Sequence, residues 1–312
     1  MRLAGIEIGG TKLQVVLGNE KGAIMERRRY EVLPKQGAGG IQNQILAGVT
    51  DLAGEKGFDA IGIGFGGPID WRTGTIFTSH HITGWNGFPL ASWLREKWNV
   101  PIFADNDANV AVLAEARMGH GQGKDPVFYM TIGSGIGGGI VHQGRLYHGC
   151  FPGEVEIGHT RLPLDRSPER WPILEDACSG WSLDRQIREI TEAYPHSPLA
   201  QLVKKDPHEK EARHLLHALQ AGDSQARDLW ERWIAMLVLG LSHVVHLFHP
   251  AALILGGGVT LMGPPLLEAV RGQLATCVMR AYQGTYSVEL SALGEDVVPV
   301  GALILAAEGL KS

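Results

Sequence analysis

Leu3-Ala4-Gly5-Ile6-Glu7-Ile8, then Gly9-Gly10-Thr11-Lys12, then Leu13-Gln14-Val15-Val16-Leu17-Gly18 is the stretch on which the fold turns. The apolar run with Glu7 inside it reads as a strand, Gly9 to Lys12 as a tight turn, and Leu13 to Gly18 as the strand resumed. Gly22 and Ala23 lead to a third strand, Ile24 to Val32. After Gly121-Gln122-Gly123 the layout repeats. Pro126 to Ile132 reads as a strand, Gly133 to Gly139 as a loop, Ile140 to His142 as a strand, and Arg145 to Tyr147 as its hairpin return. Two halves, each opening on a strand that feeds a glycine turn, predict an α/β protein of two similarly built domains around a cleft.

Between these landmarks, Ile41 to Ala53 has helical spacing and Ala60 to Phe65 is an apolar strand that runs into Gly66-Gly67-Pro68. Val100 to Ala104 is a strand, and Ala108 to Met118 a helix closed by Gly119. The chain turns helical from Ala177. Tyr194 to Glu211 is polar and reads as a surface excursion, and Ala212 to His249 as two helices meeting near Ala221-Gly222-Asp223. Ala251 to Leu255 is a strand ending in Gly256-Gly257-Gly258, and Val298 to Leu310 an apolar last helix. Trp233 to Val245 is apolar but interrupted by Gly240, Ser242 and His243, so it reads as a buried helix rather than a membrane span of ~20 apolar residues.

With 312 residues, 44% hydrophobic and 20% charged, the chain is of ordinary globular composition and not disordered or fibrous. A net charge of -5 gives no basic footprint for nucleic acid. Cys150, Cys178 and Cys277 are far apart and form no disulfide framework, which fits a reducing compartment. The first residues lack the apolar core of a signal peptide. The outlier is glycine, with 42 residues. Glycine lets backbone N–H groups converge on an anion without a Cβ in the way. One cluster is ordinarily just a turn. Three clusters at strand ends (Gly9-Gly10, Gly133 to Gly139, Gly256 to Gly258) point to phosphate cradles. Gly133, Gly135 and Gly138 satisfy G-x-G-x-x-G but open a β-branched run rather than a helix, and Gly10-Thr11-Lys12 has the wrong order for a Walker loop.

These motifs carry a resemblance. Gly5 to Lys12 is similar to the first phosphate motif of the actin-like sugar kinase superfamily, Thr131 to Gly139 to its second, and Leu253 to Val259 to its adenosine motif. Asn106-Asp107-Ala108-Asn109 and Glu156-Ile157-Gly158-His159 narrow the resemblance to the ROK family, which includes bacterial glucokinases and N-acetylmannosamine kinases. It spans Gly5 to about Glu308. It implies two actin-like (ribonuclease H-like) domains with a central cleft: 1–120, joined by a returning helix at 298–312, and 121–297. It also implies nucleotide binding by Gly9, Gly10, Thr11, Lys12, Thr131, Gly133, Ser134, Gly135, Gly256, Gly257 and Gly258. Hinges are expected near Gly119 to Gly123 and Pro299-Val300-Gly301.

Asp105 to Asn109 lies at a strand-to-helix junction, where Asp and Asn serve as caps. A calcium loop fails there, because Val110 stands where glycine is needed and Ala116 where glutamate should end it. The chemical reading is a general base: a sugar hydroxyl is a poor nucleophile, and a carboxylate can accept its proton as it attacks a γ-phosphate. The resemblance gives this role to Asp107, sugar hydroxyls to Asn106, and a structural place to Asp105. It sets Glu7, where many members carry Asp, near Mg²⁺. It sets Glu156, His159 and Glu175 on the sugar, with Gly67 in the opposite wall. Many members bind zinc with that His and three Cys; Pro163 to Ile173 has no Cys, so no zinc is expected and packing, with Trp171 a candidate, braces the loop. His81 is a second departure from the family's usual Asn.

The reading is an ATP- and Mg²⁺-dependent kinase of a hexose, glucose foremost, with an N-acetylhexosamine kinase, a fructokinase or a non-catalytic sugar-binding regulator as alternatives. Regulators of the family carry an added N-terminal DNA-binding domain, for which there is no room before Gly9. The expectations are a cytoplasmic homodimer with sugar and ATP as partners, and neither nucleic acid nor membrane.

Overall fold

The computed structural model describes residues 1–79, 82–150, 153, 155–163, 171–207 and 210–311. His81 and the 164–170 stretch of the segment expected to lack zinc lie outside them. The chain forms two compact units: Met1–Tyr129, Gly139–Val155 and Ser291–Ser312 in the first, Met130–Gly138 and Glu156–Leu290 in the second.

The first unit opens with β1 (Leu3–Ile8), β2 (Lys12–Gly18) and β3 (Ile24–Glu31), followed by α1 (Gly37–Ala53) and β4 (Ala60–Phe65). A small hairpin, β5 (Ile69–Asp70) and β6 (Thr75–Ile76), precedes α2 (Leu90–Trp98), β7 (Ile102–Asn106) and α3 (Asp107–Met118). The sheet runs β3-β2-β1-β4-β7, with the first three strands antiparallel and β1, β4 and β7 parallel. β1 and β4 are buried along their whole length, as expected of parallel strands covered on both faces. Ile6, Ile8, Val15, Ile61 and Ile63 pack with Ile41, Ile45 and Val49 of α1 on one face.

The opposite face receives the chain's last helix. β8 (Val127–Ile132), β9 (Ile136–His142) and β10 (Arg145–Leu146) lead on through α4 (Leu174–Cys178), α5 (Gly180–Ala193), α6 (Pro198–Lys205), α7 (Leu215–Gln220) and α8 (Ser224–Phe248). β11 (Ala252–Gly256), α9 (Pro264–Cys277), β12 (Ser287–Leu290) and α10 (Val297–Gly309) complete the chain. α10 lies on β1, β4 and α3. Leu303, Ala306 and Ala307 close over Leu3, Val16 and Ala60. The approach is backbone to backbone: a Cβ on Gly62 would stand 1.8 Å from the Ala302 carbonyl oxygen, and one on Gly301 2.0 Å from that of Val110. The approach to Pro299-Val300-Gly301 is the expected hinge; those three residues themselves lie in the first turns of α10, packed on the sheet and α3.

The second sheet runs β10-β9-β8-β11-β12, with β11 and β12 parallel. In the second unit α8 packs on α4, α7 and α9. The Asp223 carboxylate caps α8 by accepting from the Gln225 and Ala226 N–H groups at 2.9 and 3.2 Å. By length and composition α8 is apolar enough to cross a membrane, but half of its apolar window is buried within the protein, in keeping with the reading of Trp233 to Val245 as a buried helix. Trp233, Leu237, Leu241 and Val245 are wholly covered.

Two further expectations are corrected. Gly133 to Gly139 is not all loop, because β9 starts at Ile136. Gly139 belongs to that strand and lets α3 approach; its Cβ would lie 2.6 Å from the Ala108 carbonyl oxygen. Tyr194 to Glu211 contains α6, with Leu199 buried, Ser197 as cap and Pro198 at the first position, where proline's missing N–H costs nothing.

Candidate active site

In the first unit, register brings three loops to one edge. Ile8 pairs with Phe65, and Phe65 with Asn106. The next residues, Gly9, Gly66 and Asp107, therefore leave the sheet side by side at the carboxyl ends of parallel strands, where α/β folds bind ligands. The Gly66 N–H donates to the Ile8 carbonyl at 2.8 Å. A Cβ on Gly66 would sit 3.3 Å from Asp107 Oδ2, so the Asp107 carboxylate lies over the glycine. Asn106 caps α3: its Oδ1 accepts from the Ala108 N–H at 2.9 Å, and its Nδ2 donates to the Gly67 carbonyl at 3.2 Å. The residue expected on the sugar is therefore also the cap of α3. Asp107, in the first turn of α3, also faces the positive end of the helix dipole.

Glu7 is buried in β1 opposite Gln14. Gln14 Nε2 donates to Glu7 Oε2 at 2.6 Å and Lys12 Nζ stands 3.3 Å from Oε1. Burial pushes the Glu7 carboxyl above the ordinary glutamate range, against the pull of Lys12 and Gln14. Gln14 Oε1 in turn accepts from Arg29 Nε at 2.9 Å and Arg27 Nη1 at 3.2 Å. Sequence reading passed over Gln14. The available signal was an amide buried in an apolar strand, placed opposite Glu7 by the tight turn. That turn is closed by the Gly9 N–H donating to the Lys12 carbonyl at 3.0 Å, with Gly10 and Thr11 at its tip.

In the second unit, Thr131 is the next-to-last residue of β8 and Gly133, Ser134 and Gly135 follow its end, while Gly256 closes the neighbouring β11 and Gly257 and Gly258 follow it. Gly257 has φ 88°, and a Cβ there would meet the Ile132 backbone at 2.6 Å. Only glycine allows both the conformation and the approach. The Gly133 N–H turns back to the Gly135 carbonyl at 2.9 Å, while the Gly133 carbonyl accepts from the Gly180 N–H at 2.7 Å. Glu175 Oε2 accepts from the Ile136 N–H at 2.7 Å. Glu175 therefore braces the glycine loop in addition to any part it plays toward sugar.

Ile157–His159 is a short 3-10 turn that leaves Glu156 and His159 exposed. A Cβ on Gly158 would fall 2.2 Å from the Ile136 carbonyl oxygen, so this turn is pressed on the residue that Glu175 holds. The second unit thus brings together Glu156, His159, Glu175 and the Thr131–Gly135 loop. The ends of the segment expected to lack zinc are tied together: the Leu162 N–H donates to the Pro172 carbonyl at 2.9 Å and the Arg161 side chain, through Nη1, to that of Trp171 at 2.7 Å. Among the described residues, no three His, Cys, Asp or Glu side chains are grouped to hold a metal.

This geometry can be set beside known proteins. The sequence model of the ROK family matches residues 3–309. The glucokinase of Thermotoga maritima is 31% identical over 306 residues, covering 97% of this chain and 96% of that protein. A ROK family glucokinase from Streptomyces griseus, solved in complex with glucose and AMPPNP, superposes with a TM-score of 0.85 at 30% identity over 99% of this chain and 100% of its own. The ROK hexokinase of Thermus thermophilus does so at 0.78 and 30% identity over 100% and 99%. With glycine turns at strand ends, an Asn-Asp pair capping α3 and a Glu-Ile-Gly-His turn beside β9, the chain belongs to the ROK family.

Proposed function

We propose that this protein is a glucokinase-like sugar kinase that transfers the γ-phosphoryl group of ATP to a hydroxyl of a hexose, glucose foremost, with Asp107 as the general base. One observation carries the reading: Asp107 holds its carboxylate over Gly66, at the edge where the Gly9–Lys12 turn also leaves the sheet. A base so placed has glycine rather than a side chain beneath it, which leaves room for a polyol. The glucose and AMPPNP complex of the Streptomyces griseus relative supports the same pair of substrates.

In the reaction, the hydroxyl oxygen forms a bond to the γ-phosphorus, the bridge to the β-phosphate breaks, and ADP leaves. Asp107 takes the hydroxyl proton. Asn106, Glu156, His159 and Glu175 orient the sugar, since carboxylates and amides accept from several hydroxyls at once. Gly9, Gly10, Thr11 and Lys12 hold phosphate in the first unit. Thr131, Gly133, Ser134, Gly135 and Gly256 to Gly258 hold the nucleotide in the second. Glu7 suits Mg²⁺, being a hard oxygen donor whose two oxygens keep lone pairs beyond those given to Gln14 and Lys12. Mg²⁺, when bound, neutralises charge on the transferring phosphates. We also propose a cytoplasmic homodimer without structural zinc.

Coupled ADP release across glucose, N-acetylmannosamine, N-acetylglucosamine and fructose, with ATP and polyphosphate as donors, tests the reading. Asp107→Asn is expected to lose ~10²–10⁴ in turnover while still binding sugar by calorimetry. Near-normal turnover would remove Asp107 from the chemistry.

A further inference from the structure

Asp105, beside the Asn106-Asp107 pair, is 2% exposed and fully engaged. Its Oδ1 accepts from the Asn106 N–H at 2.8 Å and from Asn109 Nδ2 at 2.9 Å. Its Oδ2 lies 2.6 Å from His148 Nε2. A carboxylate only accepts, so Nε2 carries the proton and donates. The bond from Asn109 staples the end of β7 to the first turn of α3, with Asn106 and Asp107 between its two ends, and the bond from the Asn106 N–H is local to the end of β7. The peptide leading into Asn106 is thus set by the rotamer of Asp105, and His148 fixes that rotamer from the other oxygen. His148 follows β10 and is itself held by its ring, which stacks on Trp71 with centroids 4.3 Å apart and planes 18° off parallel. Neither His148 nor Trp71 has a place in the reaction described above.

We propose that His148 is a positioning residue of the kinase reaction: through Asp105 it holds Asn106 and Asp107 at the angle from which they meet the sugar, and Trp71 holds His148. The same logic operates where a carboxylate orients a catalytic imidazole, here with the partners exchanged. The inference rests on the reading of Asn106 and Asp107 as the sugar-facing pair. It excludes a merely space-filling role, because the short contact is a directed donation to a buried charge and not the stack alone.

Three variants of the full chain separate the alternatives. His148→Ala removes donor and ring. His148→Phe keeps a ring on Trp71 without the donor. His148→Gln places an amide nitrogen close to Nε2. The expected result is a fall in kcat of about 10- to 100-fold for His148→Ala and His148→Phe, with a raised KM for hexose and an unchanged KM for ATP. His148→Gln should return kcat to within about threefold of the parent. The inference is overturned if His148→Phe works as well as His148→Gln, if His148→Ala stays within about twofold of the parent, or if the KM for ATP rises in step with that for hexose. Should the alanine variant not fold, the Phe and Gln pair carries the test, since both fill the volume. Asp107→Asn, assayed alongside, keeps the two claims apart. A dead Asp107→Asn with a normal His148→Phe sinks the positioning role alone. An active Asp107→Asn sinks the general base, and the hexose KM, read through Asn106, still judges His148.

Discussion

Gly135→Ala is the sharpest probe of the proposed nucleotide loop. A Cβ built on Gly135 would stand 2.3 Å from Glu175 Oε2 and 3.0 Å from its Cδ. Ordinary contact requires about 3.4 Å or more, so the carboxylate oxygen must retreat by roughly 1 Å. The hydrogen bond it accepts from the Ile136 N–H is 2.7 Å long. Lengthened by that amount it is no longer a hydrogen bond. The backbone at Gly135 is not left-handed, so the methyl group acts through this contact and not through φ. A hydrogen bond to a charged group contributes about 1.5–3 kcal/mol, which corresponds to about 10- to 100-fold if the loop's geometry matters only when nucleotide is held. Initial rates against ATP at saturating hexose should show that loss in kcat/KM. Glu175→Ala and the double variant complete a cycle. The double should be no worse than Glu175→Ala alone, because the methyl group then has nothing to displace. Additive losses, or a Gly135→Ala enzyme within about twofold of the parent, would refute the reasoning.

Three more outcomes follow from the described contacts. Gly62→Ala must push α10 off the sheet, since its Cβ would lie 1.8 Å from the Ala302 carbonyl oxygen; urea unfolding should show a loss of ~1–3 kcal/mol or more. Glu7 has its carboxyl raised by burial, so its stabilising contribution is complete below the ordinary glutamate range and is lost as pH climbs through the raised value. Urea midpoints of Glu7→Gln and the parent should therefore diverge in favour of the variant as pH rises through that window, and parallel curves would contradict it. Cys178 is buried against Trp233 with its thiol pushed up to about 12, whereas Cys150 and Cys277 are exposed. A thiol reagent should titrate two cysteines in the native protein and the third only after unfolding.

The strands were legible because the signal was local. Leu3 to Ile8 and Ala60 to Phe65 are continuous apolar runs closed by glycine, and each forms the strand that its run predicts. The same holds for α3, whose start at Asp107 is written in its own caps. What was not legible depends on neighbours. Gly137 to Gly139 looks like loop by composition but lies in β9, and at Gly139 the nearness of α3 makes glycine the residue the strand needs. α9 opens on two prolines and was passed over, although proline suits a first turn. In the site, Asn106 and Asp107 could be marked from their motif. The Gln14 bond to Glu7 asks for the register that the tight turn sets, and the His148 bond to Asp105 could not be read at all, because it joins residues 43 apart.

The seam between α10 and the first sheet has a consequence for how the protein is made. Synthesis proceeds at about 5–20 residues per second, so β1 and β4 emerge roughly 10–60 s before the helix that covers them. Throughout that interval Leu3, Val16 and Ala60 present a greasy, close-fitting face to the ribosome's surroundings, while the second unit is still being threaded out. The seam closes only when the last helix docks. A premature stop upstream of Val297 would leave that face open for good.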